Sequence, residues 1–477
     1  MSAQLTTPAA IVLAAGQGTR MRSRIPKVLH PLAGRPMIAL VLDALAEAGV
    51  ERPVVVVGHG ATDVESSIGD RATTALQEIQ RGTADALRIG LSALDADDGP
   101  LLVTMGDVPL QRPELYRALL DDLRDGAVLA LVSAHVDDPT GYGRIVRDPE
   151  GGVRVIVEER DADASTRLID EVNVGTYAFD LRWLRSAIER VEPSSSGELY
   201  LTDLVALAVD DGHPVRATTA PDAADTMGIN DRVALATAEE RLRRRIAEGH
   251  MRAGVTIVDP STTRIDASVR IGQDARIEPW TILSGDTVIA EDAVIGPHAE
   301  VRDSSIGPRT SVWASVVEES TVAEDVQVGP YAHLRPGSDV GARCRIGNFA
   351  EVKRSRIGAG SQQHHFSYLG DSEIGENVNV GAGSVTANFD GVQKHRTVIG
   401  DNVKLGVDTM MVAPLTIGDG AVTGAGAVVT RDVAAGKTVV GMPARPIELR
   451  RRRPEPADAG DSAAEQAPAP TGADRNS

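Results

Sequence analysis

The chain has 477 residues, of which 42% are apolar and 25% charged, enough for two or three domains that each bury a core. A net charge of -19 and an aromatic content of 3% exclude the basic, base-stacking surface of a nucleic-acid binder. No apolar run reaches the about 20 residues that span a bilayer, the N-terminus has no basic stretch or cleavage site, and the single cysteine, Cys344, cannot close an internal disulfide, so a cytoplasmic protein with no membrane partner is expected.

From the N-terminus to residue 232, short apolar runs alternate with helical patterns. Residues 10–13, 53–57, 101–105 and 128–133 are expected as strands, and 37–48, 84–94 and 114–123 as helices. That alternation predicts an α/β domain with a mostly parallel sheet covered on both faces, whose ligands bind at the carboxyl ends of the strands. Residues 233–253 are rich in Ala, Glu and Arg and predict a linker helix. Its arginine cluster has acidic neighbours, which fits a solvated face better than a nucleic-acid contact.

Between 254 and 446 the period changes. Ile265, Ile271, Ile277, Leu283, Ile289, Ile295 and Val301 recur every sixth residue. A second run follows at Val328, Leu334, Val340, Ile346 and Val352, and a third at Ile399, Leu405, Met411, Ile417, Thr423 and Val429. A six-residue repeat with one inward aliphatic predicts a parallel β-helix. Cys344 falls inside a repeat and is expected as a small packed residue, not a nucleophile. The polar stretch VTANFDGVQKHRTV interrupts the register between Ser384 and Ile399, as a projecting functional loop would. Residues 447–477 are Pro-, Ala- and Asp-rich and are expected to be disordered.

An acidic chain that handles phosphates must concentrate positive charge locally. The motif LAAGQGTRM, after the first strand, places glycines where backbone N–H groups can approach a nucleotide, and Arg20 and Lys27 supply cations for a triphosphate. It lacks the GK[ST] ending of a Walker loop. In MGDVPL, Asp107 ends an apolar strand, where a carboxylate can hold Mg²⁺ or simply cap the next turn.

With LQEIQRGTADA, GYGRIV, IVEERD, EVNVGTYAF, GELYLTD and GINDR following in order, the N-terminal half resembles the sugar-phosphate nucleotidyltransferases. The whole chain resembles the bacterial bifunctional N-acetylglucosamine-1-phosphate uridyltransferase/glucosamine-1-phosphate acetyltransferase family. The resemblance implies a Rossmann-like nucleotidyltransferase domain followed by a left-handed β-helix, assembled as a homotrimer. It implies synthesis of UDP-N-acetylglucosamine for peptidoglycan: acetyl-CoA acetylates glucosamine 1-phosphate, then UTP uridylylates N-acetylglucosamine 1-phosphate and pyrophosphate leaves. By this resemblance Leu13, Ala14, Ala15 and Gly16 contact uridine, and Gln77, Gly82 and Thr83 select the base. Arg20 and Lys27 bind phosphates, Gly143, Glu158 and Asn173 hold the sugar, and Asp107 and Asn230 ligate Mg²⁺. One departure concerns the base: Ala84 and Asp85 stand where the family has Gly and His, and Ala84 lacks the backbone freedom of Gly.

In the repeats, YAHLRPG, GNFAEVKRS, QQHHFSYLGD, NVNVGAGSV and ANFDGVQKHRT carry the polar residues. The same resemblance makes His365 the general base, a task that suits imidazole; its spacing to Tyr368 and Gly370 selects it over His364. Arg335 and Lys353 bind the sugar phosphate, and Tyr368 and Asn379 orient the sugar. Asn388 and Phe389 lie near the acetyl group, and Ala382, Val407 and Ala425 along the CoA groove. Val407, Phe389 and Met442 replace the family's Ser, Tyr and Arg. Two rival functions are a uridyltransferase whose β-helix is only a scaffold, and a non-catalytic regulatory subunit. His365, Lys353 and Arg335 argue against the first, and Arg20, Lys27 and Asp107 against the second.

Overall fold

The computed structural model describes residues 7–194 and 197–447; the Pro-rich tail, apart from Ile447, lies outside the described residues. In the first strand, β1 (Ala9–Leu13), Ala10 and Val12 face one core while Ile11 and Leu13 face another. Burial on both faces removes any polar alternation, which is why β1 is a continuous apolar run in the sequence. In chain order there follow α1 (Met37–Glu47), β2 (Val54–Val57), α2 (Ala61–Ile68), β3 (Thr73–Leu76), α3 (Thr83–Ser92), β4 (Pro100–Met105), α4 (Pro113–Arg124), β5 (Leu129–His135), β6 (Gly143–Arg147), β7 (Val153–Val157), β8 (Glu171–Asp180), α5 (Leu181–Ala187), α6 (Asp203–Asp210), β9 (Val215–Thr219) and α7 (Arg232–Arg252).

The sheet order is β9-β5-β8-β4-β1-β2-β3, with β6 paired to β8 and β7 to β6. The strands β3, β2, β1 and β4 are parallel, as expected. The sheet as a whole is mostly parallel, since β5 and β9 pair in parallel and run in the same sense as β1–β4; the exceptions are β8, antiparallel to β4, β5 and β6, and β7, antiparallel to β6. The physical reason is that a two-sided apolar run has the same pattern in either direction; only the connection fixes its sense. A register shift between Asn173 and Tyr177 marks where β8 departs from regular pairing with β5.

Helix α7 starts at Asp231, whose carboxylate accepts from the Val233 and Ala234 amides at 2.9 Å, a side-chain N-cap. Ala238 and Leu242 pack with Leu32, Met37, Leu110 and Ile229. Its arginines are ion-paired, Arg241 and Arg245 on buried Asp225 and Arg244 on Glu240, in line with a structural and solvated face. The first coil docks on the same corner, where the Ala267 amide donates to Ala33 O at 2.9 Å.

Beyond α7 the chain winds as the left-handed hexapeptide β-helix. Strands of two to four residues pair in parallel with the third strand onward until the last coil, building sheets of 12, 10 and 9 strands, the 12-stranded one closed by an antiparallel pair, Thr438–Val440 with Arg445–Pro446. Leu283, Val301, Val317 and Leu334 are one such column, and all are fully buried in a single continuous core. Of the predicted inward residues only Ile271, near the open end, is partly exposed. Cys344 is fully buried, with Sγ 3.1 Å from Gly358 O, the packed role expected of it.

Candidate active sites

The carboxyl ends of β1, β3 and β4 open on a cleft of about 410 Å³. The loop after β1 is drawn against its neighbours, with Ala14 N on Val56 O and Gly106 N on Leu13 O, both at 2.9 Å. Gly18 adopts φ +61°, and a Cβ there would lie 2.7 Å from Lys27 Cβ, so glycine lets the two arms of the loop close. Lys27 then reaches Asp107 as an ion pair and Asn230 Oδ1 at 3.1 Å. Ile229 N donates to Asp107 O at 2.9 Å, which explains why GINDR and MGDVPL belong to one site. A carboxylate and an amide oxygen thus converge on one cationic position. Among the described residues no group of three or more His, Cys, Asp or Glu side chains is arranged to hold a metal.

Leu13, Ala14, Ala15, Gly16, Lys27, Gln77, Gly82, Thr83, Asp107 and Glu158 all line the cleft. Four predicted residues stand outside that lining. Arg20 is exposed on the turn Thr19–Met21 and has no carboxylate partner among the described residues. Asn230 is joined to the cleft through Lys27. Gly143 pairs in register with Asn173, and a Cβ on it would lie 3.5 Å from the Glu158 carboxylate. Asn173 accepts from Gly175 N at 3.1 Å. Thr202 donates to Glu158 at 2.9 Å, while burial and then the nearby Asp203, Asp161 and Glu198 charges hold the Glu158 carboxyl above its ordinary range.

One wall of the cleft is α3 and the segment after Gly197. Ala84 N donates to Leu199 O at 3.0 Å, Leu199 N to Arg81 O at 2.8 Å and Leu201 N to Thr83 Oγ1 at 3.0 Å. Ala84 lies in the first turn of α3 outside the positive-φ residues, so the backbone freedom it lacks is not needed; the demanding position is Gly82, at φ +121°. Three polar lining residues escaped sequence reasoning: Gln80, Glu198 and Tyr200. Gln80 bonds Ala15 O at 3.1 Å, and its only sequence signal is its place between Gln77 and Gly82.

On the β-helix, Gln362, Asn379, Lys404 and Val422 are register partners on successive coils. Three residues beyond each stand His365, Ala382, Val407 and Ala425, which therefore form one column along a corner. His365 is exposed, shares a cavity of about 470 Å³ with Asn348, Phe349, His364 and Phe366, and makes no side-chain hydrogen bond among the described residues. Its imidazole is free for a ligand, whereas His364 is engaged with Gln362 at 2.6 Å.

Arg335 and Lys353 are register partners on the adjoining face, and Tyr368 follows on the next coil as the register partner of Glu351. Gly370 leaves the space that the Tyr368 hydroxyl occupies. Arg335 is held by Glu351 at 2.8 Å. Arg335 and then Lys394, from the projecting loop, lower the Lys353 pKa, as clustered cations do. Lys394 was missed because a lone lysine in a polar loop carries no sequence signal. Asn379 lies on a different face from Tyr368, so within one chain the two are not brought together. Asn388 is buried and bonded to Asp371, Phe389 is exposed in the loop, and Met442 is exposed near the end of the helix.

Comparison with known proteins agrees with both halves. A nucleotidyl transferase family model matches residues 9–232. A bacterial transferase hexapeptide model of six repeats matches residues 268–303, 319–354 and 396–431. The bifunctional protein GlmU of Thermobifida fusca (strain YX) is 48% identical over 479 residues, covering 98% of this chain and 99% of the relative. That of Geobacillus thermodenitrificans (strain NG80-2) is 47% identical over 434 residues, covering 91% and 95%. That of Corynebacterium glutamicum (strain ATCC 13032) is 44% identical over 477 residues, covering 98% of each.

Proposed function

This chain belongs to the bifunctional GlmU family, and on that premise we propose that its two sites make UDP-N-acetylglucosamine in sequence, acetyl transfer on the β-helix preceding uridylyl transfer in the N-terminal cleft. The observation that carries the proposal is the meeting of Lys27, Asp107 and Asn230 at the carboxyl ends of the strands, on the same chain as an unencumbered His365.

In the cleft, the phosphate oxygen of N-acetylglucosamine 1-phosphate attacks the α-phosphorus of UTP in line, and the bond to pyrophosphate breaks. No covalent enzyme intermediate is needed. Lys27 and Arg20 neutralise charge on the phosphates, and Glu158, Gly143 and Asn173 hold the sugar in position. The pair Asp107 and Asn230 fits Mg²⁺, which takes few protein oxygens and completes its shell with water and phosphate, and which there would neutralise phosphate charge.

On the β-helix, Arg335, Lys353 and Lys394 hold the phosphate of glucosamine 1-phosphate, with Tyr368 on the sugar. His365 takes a proton as the amine attacks the acetyl carbonyl; the C–S bond breaks and the CoA thiolate leaves. The column Ala382, Val407 and Ala425, of small or apolar side chains, takes the extended arm of CoA. Assembly as a homotrimer is supported by the exposed aromatics Trp280, Trp313, Tyr331, Phe349 and Phe366 along the coil, and a partner coil would bring a second copy of Asn379 to the sugar.

Two assays on one preparation test the proposal: CoA release with a thiol reagent and pyrophosphate release. His365→Ala loses the first and keeps the second, and Asp107→Ala does the reverse. Equal loss of both activities in either variant refutes separate sites, and wild type that frees no CoA leaves the β-helix a scaffold.

A further inference from the structure

Gln77 is a buried amide at the α3 wall of the cleft, 3% exposed, and its backbone N–H is fixed on Val57 O at 2.8 Å. Its side-chain nitrogen donates to Asp85 Oδ2 at 2.9 Å and to Gly82 O at 3.4 Å. Both of those oxygens are pure acceptors, so only the NH₂ end of the amide can face them. The two N–H bonds of Gln77 are therefore spent inside the wall. Its carbonyl oxygen accepts from no described residue and belongs to a side chain that lines the cleft.

Asp85 makes no other side-chain hydrogen bond or ion pair among the described residues. A carboxylate in the first turn of α3 would interact favourably with the helix end wherever it pointed. Here it points at Gln77. An amide held by Gly82 O alone, at the longer distance, has a weak preference for one orientation; the carboxylate makes that preference strong.

We propose that Asp85 is a positioning residue that locks Gln77 as a hydrogen-bond acceptor toward the nucleoside base, so that the cleft selects uracil, whose ring N3 carries a hydrogen, over cytosine, whose N3 carries a lone pair. This deepens the uridyltransferase assignment and rests on it. With cytosine in the same pose two acceptors face each other and neither is satisfied, the arrangement by which binding sites reject close analogues.

The test compares kcat/KM for UTP and CTP in wild type, Asp85→Asn, Gln77→Ala and the double variant, by pyrophosphate release. Asparagine keeps the size of the side chain but can offer Gln77 either a donor or an acceptor. Asp85→Asn is expected to lower the UTP:CTP ratio about tenfold, through KM more than kcat. In the Gln77→Ala background the same substitution should change the ratio less than about twofold, because Asp85 acts only through Gln77. Asp85→Ser, which also removes the carboxylate, gives an independent measurement should the Asn variant be unstable. A ratio within about twofold of wild type in both variants, or an effect undiminished without Gln77, overturns the proposal. Wild type that releases no pyrophosphate from UTP while still freeing CoA overturns instead the uridyltransferase assignment beneath it.

Discussion

Replacing Gly82 with alanine perturbs the base pocket without touching any charge. The new Cβ would lie 2.7 Å from Leu199 N and closer still to Leu199 O, which is backbone and has no rotamer with which to yield. Leu199 must retreat by about 1 Å, a displacement that in a positioned site costs on the order of 100-fold in rate. The retreat breaks the bonds Ala84 N to Leu199 O and Leu199 N to Arg81 O, each worth about 1 kcal/mol. Alanine held at φ +121° adds strain of about 1–2 kcal/mol. The total, about 3 kcal/mol, corresponds to a loss of about 100-fold in kcat/KM for UTP if the wall yields rather than the helix. The assay is pyrophosphate release at varied UTP, with CoA release from the same preparation as the internal control. Gly82→Ala that keeps kcat/KM for UTP within about threefold, with an unchanged melting midpoint, would show that the close approach to Leu199 does not shape the pocket.

Glu158 carries a pH prediction. Its native pKa is raised, so the folded chain holds this proton more tightly than the unfolded chain does; stability from the group is full below the ordinary value of 4.5 and is lost as pH rises through the raised value. Glu158→Gln, which can still accept from Thr202, should melt later than wild type by a margin that widens with pH across that window. A margin independent of pH refutes the assignment. At the second site, Lys394→Ala should raise the KM for glucosamine 1-phosphate about tenfold and weaken its dependence on salt, with uridylyl transfer untouched, since one of three clustered cations is lost. An unchanged KM would place the phosphate elsewhere.

The β-helix was legible because an inward side chain recurs every sixth residue: Leu283, Val301 and Leu334 fill one continuous buried channel. The motifs around Lys27 and Asp107 were legible because a loop that brings backbone to phosphate needs glycine, and glycine is visible. The direction of β8 was not, since burial on both faces looks alike whichever way a strand runs. Nor was the grouping of Arg335 and Lys353 with Lys394, or of His365 with Val407. Those neighbours are separated by whole coils, and the registers that join them appear only when the coil is wound. Sequence reasoning placed Ala84 under suspicion and passed over its neighbour Asp85 as a partner for Gln77, because a side-chain hydrogen bond leaves no periodic trace.

The winding of the coil also acts as a ruler. Neighbouring rungs are about 4.8 Å apart, so the three steps from His365 to Ala425 span roughly 14 Å, a length set by the backbone alone. Gaining or losing a whole turn there would stretch or shorten that span while keeping every residue on its edge. A stray single hexapeptide would instead rotate everything downstream by a third of a revolution and carry Val407 and Ala425 around to another edge. The longer step from Asn379 to Lys404 avoids this, because the loop bulges outward and rejoins on the same edge. Growth of such a molecule is therefore confined to full revolutions or to outward excursions, and this chain contains the second kind beside Lys353.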